Sequence, residues 1–303
     1  MKSVFNYVII ETNKLAPMGL SVLYYIGIFY KGVLIVMVFI RRLSGVNIDK
    51  LTNNSNVELY TLLKADVEAG VVFPAVRANE LHFYYMGGCL YKFQGGRFVR
   101  DREYAKYGYG TDGLTEYEKA KVENKHKYSN AEGQAKERQL LDKLYLHTFA
   151  LNRNSKAVVL DIEVSINGKK CDLVLLNTET DEIMFVEGKV FSDPRVKCEV
   201  GRTPEVIEQV KFYTSSIAEH REAILTQYAK HIRIVNQLFG THYKPPKSLI
   251  QPAKLLVYET GGGKADNASY SMKLINEYLG VENIMWVEMD RAPTIDEIWD
   301  AFR

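Results

Sequence analysis

Cysteine is scarce in this chain: Cys89, Cys171 and Cys198 are the only three among 303 residues. An odd number without C-x-x-C spacing excludes a disulfide framework and a zinc finger, and it points to a reducing compartment. The expected location is therefore the cytoplasm. Excess charge of one sign is equally scarce, since 39 Lys and Arg against 37 Asp and Glu leave a net +2. Any nucleic-acid surface must come from local clustering of charge. Neither H-E-x-x-H nor G-x-S-x-G occurs, and the six histidines show no metal-ligand spacing, which removes zincin and serine-hydrolase chemistry. Gly261-Gly262-Gly263-Lys264 is not a P-loop, because Tyr258 stands where the first glycine would be and Ala265 follows the lysine. Internal repeats and low-complexity tracts are absent.

Long apolar runs are rare too, with one exception. Met18 to Ile40 is almost wholly apolar, interrupted by Lys31 and followed by Arg41 and Arg42, and its length approaches the ~20 residues of a membrane span. A positive-inside orientation would leave the rest of the chain in the cytoplasm, although Lys31 at mid-bilayer costs roughly 2.5 to 3.5 kcal/mol. A signal peptide fits less well, because the run is too long and starts too late. Lys31-Gly32-Val33 can also be encoded as a purine-rich ribosome-binding site a few codons before Met37, which would make residues 1–36 a spurious extension. Membrane anchor, spurious extension and ordinary buried helix all remain open for the apolar segment 1–42.

The rest divides in two. In 43–127, a small α+β region, an amphipathic helix is expected over Glu58 to Glu68. Strands are expected at Val71 to Arg77, Glu80 to Met86, Cys89 to Phe93 and Arg97 to Val99, punctuated by Gly87-Gly88 and Gly95-Gly96. The aromatic and basic mix around Phe83, Tyr84, Tyr85, Lys92 and Arg97 suits the core of that meander better than a DNA surface. Asp101 to Lys127, tyrosine-rich and charged, reads as a mobile connection or a solvated helix with the domain boundary inside it. In 128–303, Ser129 and Glu132 form a capping-box spacing ahead of a helix to about Ala150 that carries Glu137, Leu141, Leu144 and Thr148 on one face. Three strands follow, Ala157 to Ile166, Lys170 to Leu176 and Glu182 to Phe191. Thr203 can cap a helix beginning at Pro204 and continuing past Ser216. A strand at Ala253 to Tyr258, helices at Ser271 to Leu279 and Ile295 to Phe302, and a strand at Ile284 to Glu288 complete an α/β pattern with a mixed sheet.

Glu187 and Lys189 lie two apart on a strand, so their side chains leave the same face. Asp172, on the preceding strand of the same meander, can be brought beside Glu187 by a hairpin. Two carboxylates and one ammonium at one spot suit a hard cation such as Mg²⁺, which prefers oxygen ligands. A lysine beside two carboxylates stays protonated, so its expected role is electrostatic. An E-x-K triplet alone arises by chance roughly once in a chain of this size. Its context discriminates, because both carboxylates adjoin apolar strand segments where an unpaired charge is costly.

The order helix, strand, strand with Asp, strand with Glu-x-Lys, helix, strand resembles the PD-(D/E)XK nuclease superfamily over about Ser129 to Glu259. Asp172 matches the motif aspartate, and Glu187-Gly188-Lys189 matches E-x-K. Cys171 stands where the motif proline would be, and Asp161 and Glu163 are extra acids without a fixed role. The resemblance implies a restriction-endonuclease-like core, a mixed sheet flanked by helices; it does not cover the small N-terminal β-containing region, which is read from the residue pattern alone. It implies metal ligation by Asp172, Glu187 and the Gly188 carbonyl, and a site role for Glu137, for which Glu132 is the rival. Gln209 and Tyr213 match the Q-x-x-x-Y element of one branch of the superfamily. The implied activity is Mg²⁺- or Mn²⁺-dependent hydrolysis of DNA, by a nuclease, endo- or exonuclease, of bacterial or phage DNA processing or defence, with a homodimer as a candidate assembly. Arg195, Lys197, Arg202 and Lys211 could contact phosphates or form a solvated basic face. The competing expectation is an inactive nuclease-fold protein that binds DNA or serves as a scaffold.

Overall fold

The computed structural model describes Tyr7–Ile10, Tyr25–Tyr30, Val33–Met37, and residues 39–100, 115–129, 134–150, 154–259, 265–288 and 291–303. The first three segments are strands β1 (Tyr7–Ile10), β2 (Tyr25–Tyr30) and β3 (Val33–Met37), paired antiparallel in that order. A helix over Met18 to Ile40, whether buried or spanning, is thereby corrected. The run is rich in β-branched and aromatic residues, which fit a pleated strand better than a helix. Among the described residues, no helix is long and apolar enough to cross a membrane.

Helix α1 (Gly45–Thr52) starts at Ser44, whose Oγ accepts the Asn47 N–H at 3.2 Å. Helix α2 (Val57–Glu68) then leads into a four-stranded antiparallel meander, β4 (Phe73–Val76), β5 (Leu81–Tyr85), β6 (Gly88–Gln94) and β7 (Arg97–Val99). Phe73, Phe83 and Phe93 are buried here with Tyr84 and Tyr91, so these aromatics are core. Helix α3 (Glu116–Ser129) packs against the meander and buries Tyr117, Ala120, Glu123 and Asn124. It is therefore only partly solvated, and Ser129 ends it where a cap for the next helix was expected. Glu132 and the Gly261–Lys264 run lie outside the described residues.

Helix α4 (Gln134–Tyr145) precedes three long strands, β8 (Ala157–Ile166), β9 (Lys169–Asn177) and β10 (Glu182–Val190), which form an antiparallel meander. Helix α5 (Glu205–Glu219) begins after Pro204, and no side chain caps it, so Thr203 does not act as its cap. Helix α6 (Arg221–Phe239) has no counterpart in the pattern read from the sequence. Its buried stripe includes Gln227 and His231 among Ile224, Tyr228, Ile232 and Val235, and these polar members blur the apolar period. The chain continues through β11 (Ser248–Leu249), β12 (Lys254–Glu259), α7 (Ala265–Leu279), β13 (Ile284–Glu288) and α8 (Ile295–Ala301), the last opened by a complete capping box between Thr294 and Glu297. The main sheet runs β13-β12-β10-β9-β8, with β11 also beside β10. β8 to β10 are antiparallel, whereas β11, β12 and β13 join in parallel. The architecture is α/β, a mixed sheet flanked by helices.

The meander region is bolted to this core by a buried charge cluster. Asp161 on β8 is fully buried, with Arg41 Nε 2.5 Å from its Oδ2 and Arg77 NH1 2.6 Å from its Oδ1. Arg77 NH2 also donates to the Ile162 carbonyl at 2.6 Å, and Tyr228 OH to Asp161 Oδ2 at 3.3 Å. Burial alone would raise the Asp161 pKa, but the two guanidinium groups outweigh it and hold it well below the usual carboxylate range. Asp161 is therefore a structural acid.

Candidate active site

Strand register builds the site. Leu173 pairs with Val186 across β9 and β10, and one further step sets Asp172 opposite Glu187. The two lie on one face, and Asp172 Oδ2 also accepts the Gly188 N–H at 2.8 Å. Across the other edge of β9, Ile162 pairs with Leu173 and Val164 with Cys171, which sets Glu163 beside Asp172. This rim is irregular: β8 bulges between Val159 and Asp161, and Glu163 holds a φ of 46°. Such a left-handed backbone costs a non-glycine residue roughly 1 to 2 kcal/mol.

Helix α4 brings a third carboxylate. Leu141 lies directly on Gly188, where a Cβ would stand 2.6 Å from Leu141 Cδ2, so only glycine admits the helix this close. One turn earlier, Glu137 reaches the same spot. Lys189 Nζ is 2.6 Å from Glu187 Oε1 and 3.5 Å from both Asp172 Oδ2 and Glu137 Oε1. It also donates to the Gly188 carbonyl at 2.6 Å. Three carboxylates thus share one buried ammonium.

The surplus negative charge is visible in the proton affinities. Burial first, then the neighbouring Asp172, push Glu187 up to about 8 despite Lys189 beside it. Glu137 is raised for the same reasons. Burial would lower the Lys189 pKa, but the three acids more than reverse this and keep the amine protonated. Glu187 Oε2 and Glu137 Oε2 are buried without any hydrogen-bond partner, an arrangement that costs several kcal/mol in order-of-magnitude terms unless a cation or donor satisfies it.

Helix α5 supplies the support. Gln209 Nε2 donates to Glu187 Oε1 at 2.6 Å and to Tyr213 OH at 3.0 Å, and Tyr213 OH donates to the Lys170 carbonyl at the start of β9. Gln209 and Tyr213 are thus positioning residues that tie α5 to both acid-bearing strands. Asp193 and Arg195 form a two-pronged pair, Nε to Oδ1 at 3.0 Å and NH2 to Oδ2 at 2.5 Å. Arg195 lines the cleft, whereas Arg202 pairs with Glu199, Lys211 with Glu208, and Lys197 stacks over Phe191. The open cleft, about 190 Å³, is lined by the three acids, Lys189, Gln209, Arg195 and Glu163, and closed on the meander side by Tyr84, Gly87 and Arg138. Asp172, Glu187, Lys189, Glu137 and Gln209 line it, and Gly188 and Tyr213 stand behind them as hydrogen-bond partners of Lys189 and Gln209. Arg138 and the Gly87 turn were not anticipated, since only the packing of the β5–β6 turn on α4, through the Gly87 N–H to Asp142 Oδ1 bond at 2.9 Å, brings them in.

As they stand, no three His, Cys, Asp or Glu side chains among the described residues are arranged to hold a metal ion, and Lys189 Nζ lies within 3.5 Å of all three acids. The donor set is nonetheless all oxygen, in excess over positive charge, and holds two orphaned carboxylate oxygens, which suits a hard divalent cation. No family model, characterised protein or solved structure matches the chain.

Proposed function

We propose that the chain is a metal-dependent nuclease that hydrolyses DNA phosphodiester bonds at this cleft. The observation carrying the reading is the convergence of Asp172, Glu187 and Glu137 on Lys189, with buried carboxylate oxygens left unpartnered. Asp172, Glu187 and the Gly188 carbonyl would hold Mg²⁺ or Mn²⁺. Bound there, the ion supplies Lewis-acid polarisation of the phosphate and a more acidic water. The chain's own groups do the rest. Lys189, held protonated, offers its positive charge to the phosphate oxygens as water's oxygen bonds to phosphorus, the P–O ester bond breaks, the water's proton passes to solvent and the departing oxygen takes one from solvent. It is an electrostatic partner, and a protonated amine cannot be the base. The Gly188 N–H orients Asp172, and Gln209, braced by Tyr213, orients Glu187. Such bracing preserves the geometry on which rate depends.

The test is cleavage of supercoiled, linear and single-stranded DNA with Mg²⁺ or Mn²⁺ by the full chain, beside Asp172→Ala and Glu187→Ala. Nicking of the circle that both variants abolish supports an endonuclease. An inactive binding protein would retain DNA without cutting it under any metal, and that outcome overturns the reading.

A further inference from the structure

Beside the acidic cleft runs a second groove, about 420 Å³, between the β5–β6 hairpin of the meander and β8–β9 of the core. Five lysines and arginines line it, Arg41, Arg77, Lys92, Arg138 and Lys170, against the single acid Glu163. Tyr84, Gly87, Arg138, Glu163 and Lys170 line both spaces, so the two are continuous. The cleft on the far side of the site differs, since Lys169, Lys170 and Arg195 face Glu205 and Glu208 there.

Four of the five cations divide into two kinds. Arg41 and Arg77 are committed to Asp161, yet two guanidinium groups on one carboxylate leave a net positive charge that radiates into the groove. Arg138 and Lys170 are exposed at the junction with the site. Lys170 Nζ has Glu163 Oε2 at 3.3 Å in the open, a pairing that holds little energy against solvent. Both can turn to an incoming anion.

We infer that this groove binds the phosphodiester backbone of a nucleic-acid strand and leads it to the acidic cleft, Arg138 and Lys170 making the phosphate contacts. Where the strand is led rests on the nuclease reading; the binding itself does not. The chemistry is that of a polyanion repeated at regular spacing, which a continuous row of cations matches and an isolated phosphate would not exploit.

The experiment is equilibrium binding of a short labelled oligonucleotide, single-stranded and duplex, to the full chain in EDTA, across salt from about 50 to 200 mM. The wild type should weaken linearly on a log–log plot. Arg138→Gln and Lys170→Gln should each shrink the slope by about 0.7 on a single strand or 0.9 on a duplex, and together lower affinity at least tenfold. Glu163→Gln should tighten binding, and Lys273→Gln, outside the groove, should leave it unchanged. Thermal unfolding of the variants, all at exposed or half-exposed side chains, checks that they fold. Wild-type slope and affinity in Arg138→Gln/Lys170→Gln would overturn the inference even if DNA is cut. Conversely, weakened binding in these variants with no cleavage by the wild type would sustain the groove while overturning the nuclease.

Discussion

Two buried carboxylate clusters sit on the same sheet, and they are built on opposite charge ratios. Around Asp161, two guanidinium groups and a tyrosine hydroxyl serve one carboxylate. Around Lys189, three carboxylates share one ammonium and two of their oxygens have no partner. A cluster with its charge matched or exceeded holds a fold together, whereas one short of positive charge leaves carboxylate oxygens open to an incoming cation or donor. Both acids lie on adjacent β-strands, so the partners distinguish them, not the strand.

The sharpest way to break this contrast is at the under-compensated cluster. Asp172→Ala and Glu187→Gln should each lower single-turnover cleavage at least about a thousandfold, roughly 4 kcal/mol of transition-state stabilisation. Their urea unfolding should be unchanged or improved, because each variant relieves the crowding of three acids around one ammonium. Loss of stability with activity intact would mean that the cluster is structural after all.

Asp161→Ala should do the reverse and cost about 3 to 5 kcal/mol in urea unfolding, since Arg41 and Arg77 would remain buried without a counter-charge. A cost below about 1 kcal/mol would show that water reaches them.

His231 sharpens the same side by pH. It is fully buried beside Asp161, and burial together with Arg41 and Arg77 lowers its pKa to about 4, against the pull of Asp161. With the folded pKa depressed, the unfolded chain takes up the proton first as pH falls. Stability is therefore whole above about 6.5 and declines between about 6.5 and 4, by about 3 kcal/mol in total. His231→Gln should flatten that stretch of the stability profile, and a wild-type slope in the variant would assign the loss elsewhere.

A milder probe is the cation itself. Mg²⁺ at about 100 times its Kd should stabilise the wild type by about 2.7 kcal/mol in thermal unfolding. Asp172→Ala should show no such shift, and an equal shift in both proteins would place binding elsewhere. The smallest effect is expected at the brace: Tyr213→Phe removes both hydrogen bonds of the hydroxyl, about 1 kcal/mol each, and should slow cleavage more than it loosens DNA. Equal losses in both would make Tyr213 a contact to substrate.

Much of the site was legible because it is local. Asp172, Glu187 and Lys189 lie on consecutive strands of one meander, where alternation and hairpin register bring such residues together without reference to the rest of the chain. Gln209 and Tyr213 were reached only through the resemblance, since a glutamine and a tyrosine one helical turn apart mark no site by themselves. What could not be read were features set by remote packing: the strands in Tyr25–Met37, the buried polar stripe of α6, and the approach of Arg138 to the cleft.

The sequence by itself determined the three-stranded meander of the core and the pairing of an aspartate with a Glu-x-Lys, because period-two alternation and hairpin geometry act over a few residues. Only the tertiary structure decided that Asp161 is a bolt and not a further acid of the cleft. The guanidinium groups that neutralise Asp161 come from 120 and 84 residues away. Charge compensation is a property of three-dimensional neighbours, and no spacing along the chain encodes it.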